Sequence, residues 1–168
     1  MNEIHELLKN RKSCRKYLPK SVSMQDVYTM LEGARWAPSG KNGQPWRFVI
    51  VKEKKIKNRI AGCSIYEDWM READTYLIIY LDKESSYNYK NDLQAIGAAI
   101  ENICLQASSM GIGTCWIGEI LKMETEVNAI INVPETYELM AVICVGYEEN
   151  EILRASRMEL NQLIYKEI

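Results

Sequence analysis

Residues 34–51 read ARWAPSGKNGQPWRFVIV. One regular element ends here and another begins. Upstream, Val27, Met30, Leu31 and Ala34 recur at helical spacing behind SMQD (residues 23–26), which has the form of a capping box. A helix is therefore expected to end near Ala37, where Pro38 stops it. Downstream, WRFVIV is a β-branched and aromatic run with the composition of a strand. Between them, residues 37–46 hold two prolines, two glycines, Ser39, Asn42 and Gln44 ahead of Trp46. That is more polar, backbone-bending sequence than a simple reversal needs, so the stretch is an elaborate turn or a site.

The neighbouring elements follow by periodicity. Ile4, Leu7 and Leu8 predict a helix over residues 2–10. KEKKIKNRIAG (52–62) predicts a short helix and SIYEDWMREA (64–73) another. TYLIIYL (75–81) reads as a buried strand and DKESSYNYKN (82–91) as a polar loop. Leu93, Ile96, Ile100, Ile103, Ala107 and Met110 mark the longest helix, with Gly111 as its stop. TCWIG (114–118) is extended, residues 122–132 form a helix before Pro134, and ELMAVICVGY (138–147) is the last strong strand. From RASR (154–157) onward a loop and an amphipathic helix are expected. Helices thus alternate with about four strands in a single layered domain over residues 1–168. The pattern leaves strand order open.

Composition excludes several function classes. A net charge of -2 supplies no global field for nucleic acid or anionic lipid. No apolar run is long enough to span a bilayer, and the opening MNEIHELLKN lacks the apolar core of a signal peptide. The five cysteines are odd in number and form no CxxC, which fits reduced thiols in a cytoplasmic protein. His5 is the one histidine, which weakens any Ser-His, Cys-His or His-metal proposal.

Two segments carry local chemistry. RKSCRK (11–16) places Arg11, Lys12, Arg15 and Lys16 around the Ser13 hydroxyl with no acid among them, a set that suits phosphate oxygens, although on composition alone a solvated basic loop is the commoner meaning of such a cluster. GIGTCWIG (111–118) offers bare backbone to a ligand, though it is neither a dinucleotide fingerprint nor a P-loop. The lysines of residues 52–59 read as a solvated helix face, and RASR as a surface loop.

In the order RKSCRKY, ARWAPSGKNGQPWRFVIV, NICLQASSMGIGTCWIG and VGYEEN, these segments resemble the FMN-dependent nitroreductase family over almost the whole chain. The resemblance implies an α+β fold: a mixed, mainly antiparallel sheet flanked by helices. It implies a homodimer with non-covalent FMN at the subunit interface and NAD(P)H as electron donor. By motif, Arg11, Lys12, Ser13 and Arg15 would hold the phosphate, ribityl chain and pyrimidine edge, with Arg157 reaching the phosphate from the tail. Trp116, Ile117, Gly118 and Glu119 would lie along the ring, with the N–H of Gly118 or Glu119 near N5. Pro38, Ser39, Gly40 and Asn42 would contact the flavin held mainly by the other subunit, and Trp46 would pack the loop onto the core. No catalytic side chain and no metal are expected, because the cofactor carries the hydride chemistry. The implied activity is ping-pong reduction of nitroaromatic or quinone-type small molecules. The alternatives are a reductase or dehydrogenase specialised for one metabolite, and an FMN storage or sensor protein without turnover. A nucleic-acid-binding role for the basic segment is disfavoured by charge and by the lack of a matching motif.

Overall fold

Strand β2 (Thr75–Asp82) is buried along its whole length, and the sheet is built around it. In this computed structural model, which describes residues 2–149 and 156–168, β2 pairs antiparallel with β1 (Trp46–Val51) on one side and β4 (Tyr137–Gly146) on the other. Strand β3 (Gly113–Ile117) closes the far edge against β4, giving the order β1-β2-β4-β3. All these pairings are antiparallel; among the described residues a parallel contact enters only as the isolated bridge between Ser13 and Thr114.

Successive β2 residues face opposite sides, so the uninterrupted apolar run requires cover on both. Leu77, Ile79 and Leu81 pack with Ile96, Ala99, Ile100 and Ile103 of α5 (Tyr89–Ser109) and with Val27 and Met30 of α2 (Met24–Arg35). Tyr76, Ile78 and Tyr80 pack with residues of α3 (Lys54–Ala61), α4 (Glu67–Met70) and α6 (Glu124–Ile131). Trp46 is buried in the first of these cores, as expected.

Several boundaries differ from the periodicity reading, each for a local reason. The longest helix starts at Tyr89, inside the segment expected to be loop, because polar groups there cap it. The Asn88 side chain accepts from the Asn91 N–H, and the buried Asp92 carboxylate accepts from the Tyr87 and Asn88 amides and the Ser86 hydroxyl. At α2 the capping box is half formed: Ser23 Oγ accepts from the Asp26 N–H but donates to the Asp26 carboxylate. SIYEDWMREA yields only the single turn of α4. The tail yields only the single turn of α7 (Leu160–Leu163), whose leucines stay exposed, so no burial drives a longer amphipathic helix. Arg154 lies outside the described residues. The lysines of 52–59 are not all solvated. Lys57 is buried and donates to the carbonyls of Ala73 (2.5 Å) and Asp74 (2.7 Å), while Lys52 pairs with Asp74 at 2.9 Å.

The first helix, α1 (Glu3–Asn10), buries no residue, and Ile4 and Leu8 of its apolar stripe face solvent. Among the described residues, no helix is long and apolar enough to cross a membrane.

Candidate functional site

The basic segment is a strap laid along the β3 edge. The Cys14 N–H donates to the Thr114 carbonyl at 2.8 Å, and the bridge between Ser13 and Thr114 runs parallel. Farther on, the strap meets the end of β4. Tyr17 bridges Glu148, the Leu18 N–H donates to Tyr147, and the Glu149 N–H donates to Lys16. Two facing glycines make this close approach feasible. Gly113 pairs with Gly146 across β3 and β4. A Cβ on Gly113 would lie 2.8 Å from the Cys14 side chain, and one on Gly146 would lie 2.7 Å from the Tyr17 ring. Cys14 and Tyr17 are therefore the buried anchors of the strap, while Ser13 before them and Arg15 between them stay exposed.

The strap also lines a cavity of ≈ 110 Å³ with Arg11, Lys12, Thr114, Ser108 and Glu148 on its walls. That is well below the roughly 300–1,000 Å³ of a small-molecule pocket, so it suits one polar group, not a whole aromatic ligand. Because the strap runs parallel to β3, Arg11 lies toward the start of the strand and Arg15 toward its end. There Ile117 is buried and Gly118 exposed, and a Cβ on Gly118 would meet nothing within 4 Å. A bare backbone edge thus opens where the strand stops. The Glu119 carboxylate is engaged, accepting from Ser64 Oγ at 2.8 Å and pairing with Lys122. The Lys122 and Ser64 contacts hold the Glu119 carboxyl below the ordinary glutamate range.

The four buried thiols are poorly suited as nucleophiles. Burial pushes Cys14 and Cys104 up to about 11, and raises Cys115 and Cys144 as well. Among the described residues, no group of three or more His, Cys, Asp or Glu could hold a metal.

The loop of residues 37–46 lies elsewhere. It holds Lys41, Asn42 and Gln44 at positive φ (53°, 57° and 49°), a strained backbone that needs outside support. Ser39 Oγ accepts from the Gln44 N–H at 3.0 Å. Arg47 donates to the carbonyls of Gln44 and Trp46, to Ser85 Oγ at 2.8 Å, and pairs with Asp82 at 2.5 Å. Lys41 Nζ sits 4.2 Å from the centre of the Tyr87 ring. Pro38 and Asn42 are exposed, Ser39 and Gly40 half-buried.

Within one chain this loop is far from the strap. It leads into β1, at one edge of the sheet, whereas Gly118 leaves β3, at the other. Three inter-strand spacings of about 4.8 Å separate them, or about 14 Å before any offset along the strands. Along α5 the result agrees. Gly40 lies by Asn91, while the strap cavity reaches Cys104, and thirteen residues at 1.5 Å per residue make about 20 Å. The structure therefore places Arg11, Lys12, Ser13 and Arg15 in one strap beside the strand that ends at Ile117 and leads into Gly118 and Glu119. It does not bring Pro38, Ser39, Gly40 and Asn42 to them. Arg157 is exposed, donates to the Ser156 carbonyl at 3.1 Å, and is not among the residues lining the cavity.

The nitroreductase family model matches residues 8–65 and 61–147, which takes in the strap, the loop and the β3 edge. The chain belongs to the nitroreductase family. A protein of Desulfovibrio desulfuricans, assigned as a nitroreductase and solved in complex with FMN, superposes with a TM-score of 0.95 at 30% identity, covering 100% of this chain and 98% of that one. A protein of Archaeoglobus fulgidus assigned as an NADH dehydrogenase/NAD(P)H nitroreductase is 29% identical over 90% of this chain and 88% of its own length. The iodotyrosine deiodinase of Thermotoga neapolitana is 25% identical over 95% and 96%. The chain is thus a nitroreductase-family oxidoreductase by membership.

Some of the site's parts were given no role by the sequence, even inside the segments that carry the resemblance. The Gly113–Gly146 pairing has no local signal, since the two residues lie far apart in the chain. Glu148 sits in VGYEEN without an evident role until its side chain is seen on the cavity wall. Arg47 and Ser64 are single polar residues that only tertiary contacts pick out.

Proposed function

We propose that this chain is an FMN-dependent NAD(P)H oxidoreductase that reduces nitroaromatic or quinone-type acceptors, working as a homodimer with FMN at each subunit interface. The observation that carries the reading is the split site: a cationic strap beside a bare strand end on one edge, and a strained, supported loop on the other. A symmetric pair of chains can close each strap with the partner's loop, which one chain cannot do. Exposed apolar side chains on α1 (Ile4, Leu8), at Trp36, on α5 (Leu93) and on the tail (Leu160, Leu163) supply surface for such a contact.

The residues present suit FMN. Arg11 and Lys12 at the small cavity hold the phosphate, and Arg157 reaches it from the tail. Ser13 meets the ribityl chain. Arg15 faces the pyrimidine edge, where its guanidinium favours negative charge and adjusts the potential. Ile117 and Gly118 would lie along the ring, where the N–H of Gly118 or Glu119 would be available to N5. Pro38, Ser39, Gly40 and Asn42 of the second copy cover the site. When bound, FMN supplies hydride transfer from NAD(P)H and then to the acceptor, in a ping-pong cycle. No side-chain acid or base is required, which agrees with the protonated thiols and the lone histidine.

The deiodinase relative favours a second reading, a reductase specialised for one metabolite, because likeness across nearly the whole chain does not fix the acceptor. The test is the absorption spectrum of the purified protein, followed by NADH and NADPH oxidation with and without a nitrofuran or a quinone. Bound flavin and acceptor-dependent turnover are expected. Absence of both flavin and FMN-dependent NAD(P)H oxidation sinks the reading, and flavin binding without turnover favours the storage or sensor alternative.

A further inference from the structure

Glu148 stands on the wall of the strap cavity, opposite the cations that the preceding reading gives to the FMN phosphate. Its Oε1 lies 2.9 Å from Lys12 Nζ. Its position is fixed by the backbone: residue 148 bridges Tyr17, and the flanking Tyr147 carbonyl and Glu149 N–H bond Leu18 and Lys16 of the strap. The carboxylate is therefore part of the strap's own framework. Arg11 has a carboxylate neighbour too, but Glu101 approaches it at 3.4 Å from α5 and does not line the cavity.

A phosphate dianion entering this cavity meets Lys12 already engaged by a carboxylate, and a negative charge within contact range of the same ammonium. Like charges this close oppose each other strongly in a half-buried setting. A group whose only task was to retain phosphate would not need an acid there. We infer that Glu148 competes with the FMN phosphate for Lys12 and sets the flavin affinity low enough for FMN to exchange with solution. The inference rests on the strap being the phosphate site.

The test is direct titration of the flavin-free protein with FMN and with riboflavin, which lacks the phosphate, in wild type, Glu148→Gln and Glu101→Gln at low salt. Glutamine keeps the shape and a hydrogen-bonding oxygen while removing the charge. Glu148→Gln should bind FMN about ten-fold more tightly, with a slower dissociation rate, and leave riboflavin affinity unchanged. Glu101→Gln should gain less. Equal or weaker FMN binding in Glu148→Gln overturns the inference, as does an equal gain for riboflavin or an equal gain in Glu101→Gln, each with the wider reading left standing. If neither wild type nor Glu148→Gln binds FMN, the placement of the cofactor falls and the inference with it.

Discussion

Three glycines around the strap have opposite relations to the chain, and substitution separates them. A Cβ at Gly113 or Gly146 would press on Cys14 or Tyr17, the two buried anchors. Gly113→Ala and Gly146→Ala should each cost about 1–3 kcal/mol, the ordinary penalty of overpacking, read as a lower midpoint in urea. Gly118 has open space instead. Gly118→Leu should leave the midpoint within about 0.5 kcal/mol of wild type but abolish flavin retention, because the new side chain occupies the bed proposed for the ring. Normal flavin reduction in Gly118→Leu would contradict that placement. Arg11→Ala should weaken FMN binding by roughly 1.5–3 kcal/mol, the scale of a charge-assisted hydrogen bond, measured by quenching of flavin fluorescence. Unchanged affinity would remove Arg11 from the phosphate site. The glycine contrast could not be read from sequence: GIGTCWIG contains both kinds, and only the neighbours distinguish them.

At the scale of elements, regular structure was the most legible part. Apolar periodicity located β1, β2, β4 and the long helix, because burial on one face or two dictates those patterns. It misplaced the start of α5, where Asn88 and Asp92 cap the helix with polar residues that resemble a loop. It overextended α4 and the tail helix, where no core is available to bury the apolar stripe. Side-chain fasteners between loops were not legible, and two of them bear on the site. Arg47 ties the strained 37–46 loop to Asp82 and Ser85. Glu119 ties Ser64 to the end of β3. The second is sensitive to acid. Lys122 and Ser64 depress the Glu119 carboxyl below its unfolded value of 4.5, so its contribution is complete above that pH. The contribution is lost as pH falls through the lower folded-state value. Amide protection in residues 62–70, taken relative to the intrinsic exchange rate at each pH, should therefore fall below pH 4.5 more than protection in β2, and in Glu119→Gln it should be low already at neutral pH. Identical acid profiles for the two segments would show that Glu119 does not hold this segment.

For the molecule as a whole, the separation between the strap and the loop decides what one chain can do. The edges of this open four-stranded sheet lie apart, so the loop at β1 does not reach the ring bed proposed at β3 of the same chain. In the proposed two-fold dimer the loop of each copy would cover the strap of the other, and every site would draw on both chains. That arrangement makes complementation quantitative. An Arg11→Ala chain has a damaged strap and an intact loop. An Asn42→Gly chain has an intact strap and a loop without its amide, and glycine accepts the φ of 57° found there. In a heterodimer of the two, one site combines both defects and the other combines neither. Random re-pairing of equal amounts makes half the dimers mixed, each with one intact site of two, so about a quarter of wild-type FMN-dependent NAD(P)H oxidation should return. Each variant alone should show only its own residual rate. If a purified mixed dimer, carrying different tags on its two chains, gives no more than the mean of the two variants, each site is built within one chain, and the 37–46 loop has no part in the neighbouring copy's flavin pocket.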